Sequence, residues 1–318
     1  MQRRDFLTRI LAGAAVLPLR PAEAQQPSGI FFEQPAAGAP RKGKALAAIQ
    51  PHSDDVALLA AGTVAKLIQE GYTGYMIRAT NDDMGDDVGE PGTVGENVLR
   101  NEREVAGLAR ALGLVRGFDL NYGNHRMGDI SQNELQCRLI FLIRLLKLDT
   151  VFCYDPWERD EENPDHYVLA HAVEAACWMA GRVHDYPEQF AAGLEAHTVQ
   201  EKYYYLRHAR PEDVNRVVDI SSVVEKKVDA NLANQAKGPG GHHGSRLKAD
   251  LARRNQQLPL LGGDDTTADR NYIKEFVLER DRQLGQKYGV EFAEAFHYIG
   301  PGTSRIEDYI RQHAAPLR

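Results

Sequence analysis

Short apolar runs alternate along this chain with longer segments whose apolar residues recur at helical spacing. The first run, Lys44 to Gln50, carries no charge after its lysine and has the length of a buried strand. A helix is predicted from about Val56 to Glu70, with Leu58, Leu59, Val64, Leu67 and Ile68 on its apolar side and Gly71 at its end. Thr73 to Thr80 reads as a second strand, Glu96 to Leu112 as a helix stopped by Gly113, and Phe118 to Tyr122 as a third strand. Ser131 to Leu148 is strongly amphipathic, Thr150 to Tyr154 is a β-branched and aromatic run, and a further helix covers Tyr167 to Ala180. Strands and helices in alternation, joined by connections of a few residues, predict an α/β fold: a Rossmann-like, mostly parallel sheet with helices on both faces.

Beyond Gly181 the pattern is less regular and predicts a C-terminal α+β extension. Lys202 to Leu206, Arg216 to Ile220 and Phe292 to Ile299 read as strands. Helices are expected over Ser222 to Gln235, Arg246 to Gln256 and Arg270 to Tyr288, with a glycine-rich loop from Gly238 to Ser245. The expected organisation is a catalytic core over 44–181 and an extension over 182–318 that completes the same domain. Residues 25–43, rich in Pro, Gly, Gln and Ala, read as an extended lead-in.

The first residues carry a different message. Arg3-Arg4 followed by Phe6-Leu7, an apolar run from Ile10 to Leu17 and Ala22-Glu23-Ala24 are, in order, a twin-arginine export signal and its cleavage site. The apolar run is too short to span a bilayer. The chain is therefore expected to be exported to the periplasm or outside the cell, and its mature form, beginning near Gln25, to have no transmembrane anchor.

A chain of 318 residues with 43% hydrophobic and 26% charged residues has ordinary globular composition. Its net charge of -7 argues against nucleic acid as a partner, because neutralising phosphates needs a surplus of Lys and Arg. Three cysteines without a C-x-x-C pair give neither a disulfide framework nor a thiolate metal site. The oligomeric state is left open.

Candidate chemistry sits where two strands are predicted to end. His52, Asp54 and Asp55 directly follow the first run, and ligands of open α/β sheets bind beyond the carboxyl ends of strands. Imidazole plus carboxylate suits zinc among divalent metals, although a helix cap with a loop histidine beside it explains the same residues. The second stretch follows Tyr154 and closes with Asn163-Pro164-Asp165-His166 at the start of a helix. Together the two loops hold the parts of a catalytic zinc site: three ligands, an open position for water and a spare carboxylate.

Pro51-His52-Ser53-Asp54-Asp55 and Asn163-Pro164-Asp165-His166 resemble the P-H-P-D-D and H-P-D-H motifs of the PIG-L or LmbE-like zinc-dependent de-N-acetylases. The resemblance covers about Lys44 to Gly181, with echoes at Glu104, Leu112-Gly113, Lys227, Ala230, Ala233 and Glu294-Ala295-Phe296. It implies one zinc ion held by His52, Asp55 and His166, with Asp54 as general base that later returns its proton to the departing amine. It further implies that Thr80, Gly85 and Asp86 line a sugar site. Arg100 and Arg103 flank Asn101, where a substrate-binding arginine is expected, and Trp157 is an aromatic candidate for stacking on a sugar ring. Asp165 is expected to orient a ligand or cap the helix.

Asn163 replaces the first histidine of H-P-D-H; it can donate a hydrogen bond to an oxyanion but cannot deliver a proton. Ser53, Val56 and Asn234 also depart from the pattern. The implied substrate is a small or oligomeric N-acetylated amino sugar or glycoconjugate. An amidase acting on a thiol conjugate or acylated natural product is an alternative, as is a non-catalytic carbohydrate- or metal-binding relative.

Overall fold

The computed structural model describes residues 29–84, 92–301 and 305–315. The twin-arginine segment, Gly85 and Asp86 lie outside the described residues. The strands are β1 (Phe31–Glu33), β2 (Ala45–Gln50), β3 (Thr73–Thr80), β4 (Arg116–Tyr122), β5 (Leu148–Tyr154), β6 (Glu201–Tyr205), β7 (Arg216–Asp219) and β8 (Ala293–Ile299). The helices of the first half are α1 (Asp55–Leu59), α2 (Ala61–Gln69), α3 (Val94–Ala111), α4 (Gln132–Leu146) and α5 (Pro164–Ala180). They are followed by α6 (Glu188–Ala191), α7 (Val224–Ala233), α8 (His243–Arg253), α9 (Asp265–Tyr272), α10 (Glu279–Lys287) and α11 (Arg305–His313).

Among the described residues, eight strands join one sheet in the order β1-β7-β8-β6-β5-β2-β3-β4. β2, β3, β4, β5 and β6 pair in parallel, and β8 runs antiparallel to both β6 and β7. β2 is buried on both faces, as its uncharged run requires of a central parallel strand. Leu46, Ala48, Met76, Phe152 and Tyr203 pack towards α1, α2, α3 and α7. Ala47, Ile49, Ile77, Val151 and Cys153 face the other way, onto α4 and α5.

The chain leaves β2 towards β3 on one side and later places β5 on the other. That reversal of strand order opens a crevice at the carboxyl ends of β2 and β5, the position where open α/β sheets bind ligands. Both motif loops enter it.

Three local expectations change. The helix expected over 270–288 is divided into α9, a π-helical stretch at Ile273–Val277, and α10. The lead-in contains β1, which pairs in parallel with β7 from Phe31↔Arg216 to Glu33↔Val218. The single helix expected over 56–70 is broken at Ala60 (φ −144°, ψ −2°) into α1 and α2. At the break, Glu294 of β8 accepts the Gly62 N–H (2.9 Å), the Thr63 N–H (2.7 Å) and the Thr63 hydroxyl (2.6 Å), taking up donors that begin α2. The buried Lys227 ammonium pairs with the same carboxylate (2.7 Å) and with Asp281 (2.6 Å), so the extension is tied to the core through a compensated buried charge.

Candidate metal centre

The loop after β2 is shaped by bonds from three sides. Thr80, at the end of neighbouring β3, donates its N–H (3.0 Å) and hydroxyl (2.8 Å) to the Pro51 carbonyl. Gln50 accepts the Val56 N–H at 3.0 Å, and Asp55 Oδ2 accepts the His52 N–H at 2.8 Å. This folds His52 and Asp55 towards one another at the start of α1. Asp54 occupies the N-cap of α1, but its side chain makes no capping bond. A plain helix cap therefore does not account for it.

The loop after β5 ends in a capped helix. Asn163 is the N-cap of α5, its Oδ1 accepting the Asp165 N–H at 3.0 Å, with Pro164 in the first helical position. His166 falls in the first turn and stacks on Tyr154, the last residue of β5, with ring centroids 4.1 Å apart. The Tyr154 hydroxyl donates to Asp55 Oδ1 at 2.8 Å.

The two loops bring His52, Asp55 and His166 into one buried cluster whose ligand atoms all lie within 4.8 Å of one another. His52 Nδ1 is 3.1 Å from His166 Nε2 and 3.4 Å from Asp55 Oδ2, and His166 Nε2 is 3.6 Å from Asp55 Oδ1. A tetrahedral ion with bonds of about 2.0–2.1 Å has donors about 3.3 Å apart, so the two imidazole nitrogens and the Asp55 carboxylate have spacings suited to one face of such a site. Each imidazole turns its other nitrogen to a carboxylate: His52 Nε2 to Asp165 (3.1 Å) and His166 Nδ1 to Glu161 (3.0 Å). Such pairs fix the ring orientation and tautomer of a metal-binding histidine.

The carboxylates around the cluster favour positive charge on it. Burial alone lowers the His52 pKa, yet its bonds to Asp165 and Asp55 outweigh it and raise the value to about 10. Burial pushes the Asp55 carboxyl up, but the charge of His166 and the bond to His52 hold it below the usual carboxylate range. Asp54 behaves oppositely: burial, then the adjacent charge of Asp55, lift it to about 6. The environments of the two neighbouring carboxylates thus push their pKa values in opposite directions.

A cavity of about 320 Å³ opens onto this cluster, lined by His52, Asp54, Asp55, Leu58, Leu59, Asn124, His125, Tyr154, Asn163, His166, Arg207 and Lys237. Asn163 has its Oδ1 committed to the helix cap, so the Nδ2 donors are the part of the amide available to a ligand. Asn124 is 1% exposed, and neither atom of its amide has a partner among the described residues. Thr80, Arg100, Arg103 and Trp157 do not line the cavity. Thr80 holds the Pro51 loop from behind, and Trp157 packs at 5.9 Å on Tyr204 and 5.6 Å on His297.

Asp165 touches more than the expectation of one ligand implied. Besides His52, it accepts the His125 N–H at 2.6 Å and the Met127 N–H at 3.2 Å, binding the loop after β4 to the cluster. Asp165→Asn is expected to lower affinity for a divalent metal about 10–100-fold, measured by competition with a chelator; unchanged affinity rejects this role. Glu161, Asn124, Arg207 and Lys237 were not singled out from sequence. A signal existed only for Glu161, two residues before the second motif; the others arrive from loops that no spacing connects to it.

Fold and site define an α/β protein with a His-Asp-His cluster able to hold a metal ion at the crevice between β2 and β5. A family model described as PIG-L, GlcNAc-PI de-N-acetylase, matches residues 47–177. A diacetylchitobiose deacetylase of Thermococcus kodakarensis is 30% identical over 196 residues, spanning 62% of this chain and 71% of the relative. The chain belongs to the PIG-L family. Among solved structures, the N,N'-diacetylchitobiose deacetylase of Pyrococcus horikoshii shares the fold with a TM-score of 0.64 at 21% identity, over 88% of this chain and 89% of that one. The 4-carboxy-2-hydroxymuconate hydratase of Pseudomonas putida shares it with a TM-score of 0.59 at 18% identity, over 82% and 98% of the two chains. The same fold thus carries proteins named for different reactions, and the chemistry has to be argued from the site.

Proposed function

We propose that this protein is an exported, zinc-dependent hydrolase that removes the N-acetyl group from an N-acetylated amino sugar or glycoconjugate. The observation that carries the reading is the separation of roles within one cavity. His52, Asp55 and His166 supply a metal's donors, while the carboxylate of Asp54 beside them has no hydrogen-bond partner among the described residues. Two imidazoles and one carboxylate form a donor set suited to zinc. Membership of the PIG-L family and the likeness to a diacetylchitobiose deacetylase support the substrate class.

A bound zinc ion supplies Lewis acidity and brings the pKa of a water molecule towards neutrality. Asp54 accepts the proton of the attacking water and later gives it to the departing amine, one group serving as base and then acid. The Nδ2 donors of Asn163 face the charge that develops on the acyl oxygen. Tyr154 holds Asp55 in place through its hydroxyl. Asn124, with a free donor and acceptor, is placed to bond a neutral group such as a sugar hydroxyl.

Acetate release from diacetylchitobiose, N-acetylglucosamine and related N-acetyl sugars tests this reading. Chelation is expected to abolish release and added zinc to restore it. Release that ignores the chelator rejects the metal role, and no release from any N-acetyl sugar rejects the substrate class. The twin-arginine segment supports the export; the protein remaining in the cytoplasm of its own cells, as seen by fractionation, counts against it.

A further inference from the structure

The carboxylate of Asp54 has no hydrogen-bond partner among the described residues, so its direction is set by what packs around it. Gly238, in the left-handed region at φ +79°, approaches so closely that a Cβ there lies 2.8 Å from Asp54 Oδ2 and 3.1 Å from Asp54 Cβ. The residue before it, Lys237, lines the cavity, and its largely buried ammonium group pairs with Asp82. Asp82 follows β3 and is fully buried, in a left-handed conformation (φ 56°) uncommon outside glycine. The other oxygen of Asp82 accepts the N–H of Ser53, the residue before Asp54, at 2.8 Å. One carboxylate therefore grips both the backbone that carries Asp54 and the segment packed against its side chain.

Asp82 also has Arg78 3.6 Å away as a neighbouring cation. Lys237 is directed inward and lines the cavity beside the carboxylates of the site. Burial disfavours its charge, but Asp82 and then Asp54 outweigh that and raise its pKa.

We propose that Lys237 and Asp82 are positioning residues for the proton-accepting carboxylate: their ion pair seats Gly238 against Asp54, while Asp82 holds the adjoining Ser53, fixing the direction in which Asp54 meets the substrate. The inference rests on Asp54 being the general base. A displacement of about 1 Å in a catalytic group costs on the order of 10² in rate, which sets the size of the effect.

The test compares Lys237→Met, Lys237→Arg and the double variant Lys237→Met/Asp82→Asn, which leaves no buried carboxylate unpaired if the single variant fails to fold. Turnover, KM and zinc content are measured for each, alone and combined with Asp54→Ala. The expected result is a loss of about 10² in kcat for Lys237→Met and for the double variant, with KM and zinc unchanged. Lys237→Arg is expected to recover part of the loss, and Lys237→Met to cost nothing further once Asp54 is alanine, because residues acting through one group are not additive. Unchanged kcat, a raised KM alone, loss of zinc, or full additivity with Asp54→Ala overturns the proposal. A crystal structure of the double variant reads it without activity: a displaced Asp54 carboxylate supports the clamp, and a superposing one rejects it. A wild-type protein that releases no acetate refutes the proposed function instead, and the crystallographic comparison still judges the clamp.

Discussion

Replacing Asp54 with alanine is expected to lower acetate release about 10²–10⁴-fold while metal content, zinc on the proposed reading, is unchanged. The expectation follows from what Asp54 does not do. It is absent from the cluster of His52, Asp55 and His166, and it occupies the N-cap of α1 without making a capping bond. Removing it therefore deletes neither a ligand nor a helix cap. What disappears is a carboxylate lifted to about 6 by burial and by the charge of Asp55, close to the value a base working near neutrality needs. Zinc measured per chain alongside turnover separates the outcomes. Retained zinc with lost turnover supports the role, full activity rejects it, and lost zinc makes Asp54 part of the metal site.

The second large effect is expected at Asn163, through one end of its amide. Its Oδ1 caps α5 at 3.0 Å from the Asp165 N–H, and Asp is as good an N-cap as Asn. Asn163→Asp therefore keeps the helix cap and exchanges the Nδ2 donors for a second acceptor. It also sets a negative charge near the oxygen that becomes negative during the reaction. The expected outcome is a loss of about 10²–10³ in kcat, the usual cost of removing one oxyanion donor, with thermal stability and zinc content unchanged. Turnover equal to wild type rejects the donor role; a fall in melting temperature that accounts for the loss returns Asn163 to a purely structural part.

Both residues were legible in the sequence because each lies within a motif of a few positions. His52 to Asp55 sit on one turn and Asn163 to His166 on another, so their mutual geometry is nearly local. Of the supporting groups only Asp165, inside the second motif, was legible, and its reach to His52 across 113 positions came with the family pattern. Tyr154, which reaches Asp55 across 99 positions, was not legible in that role. Thr80, expected to line the site, holds its loop from behind instead, because β2 and β3 are neighbours and its hydroxyl meets Pro51.

The alternation of apolar runs and amphipathic segments by itself determined the α/β class, the strands β2 to β5 and the two loops that carry the ligands. Those features depend on spacing within ten or twenty residues, which burial on one or both faces imposes directly. Only the tertiary structure decided the break at Ala60, where Glu294 takes up the first donors of α2 from 232 positions away, and the pairing of β1 with β7. It also decided that Lys237 and Gly238 close on Asp54. Such contacts belong to segments brought together when the sheet assembles, and no local pattern along the chain encodes which distant polar group will satisfy a buried donor or face a buried charge.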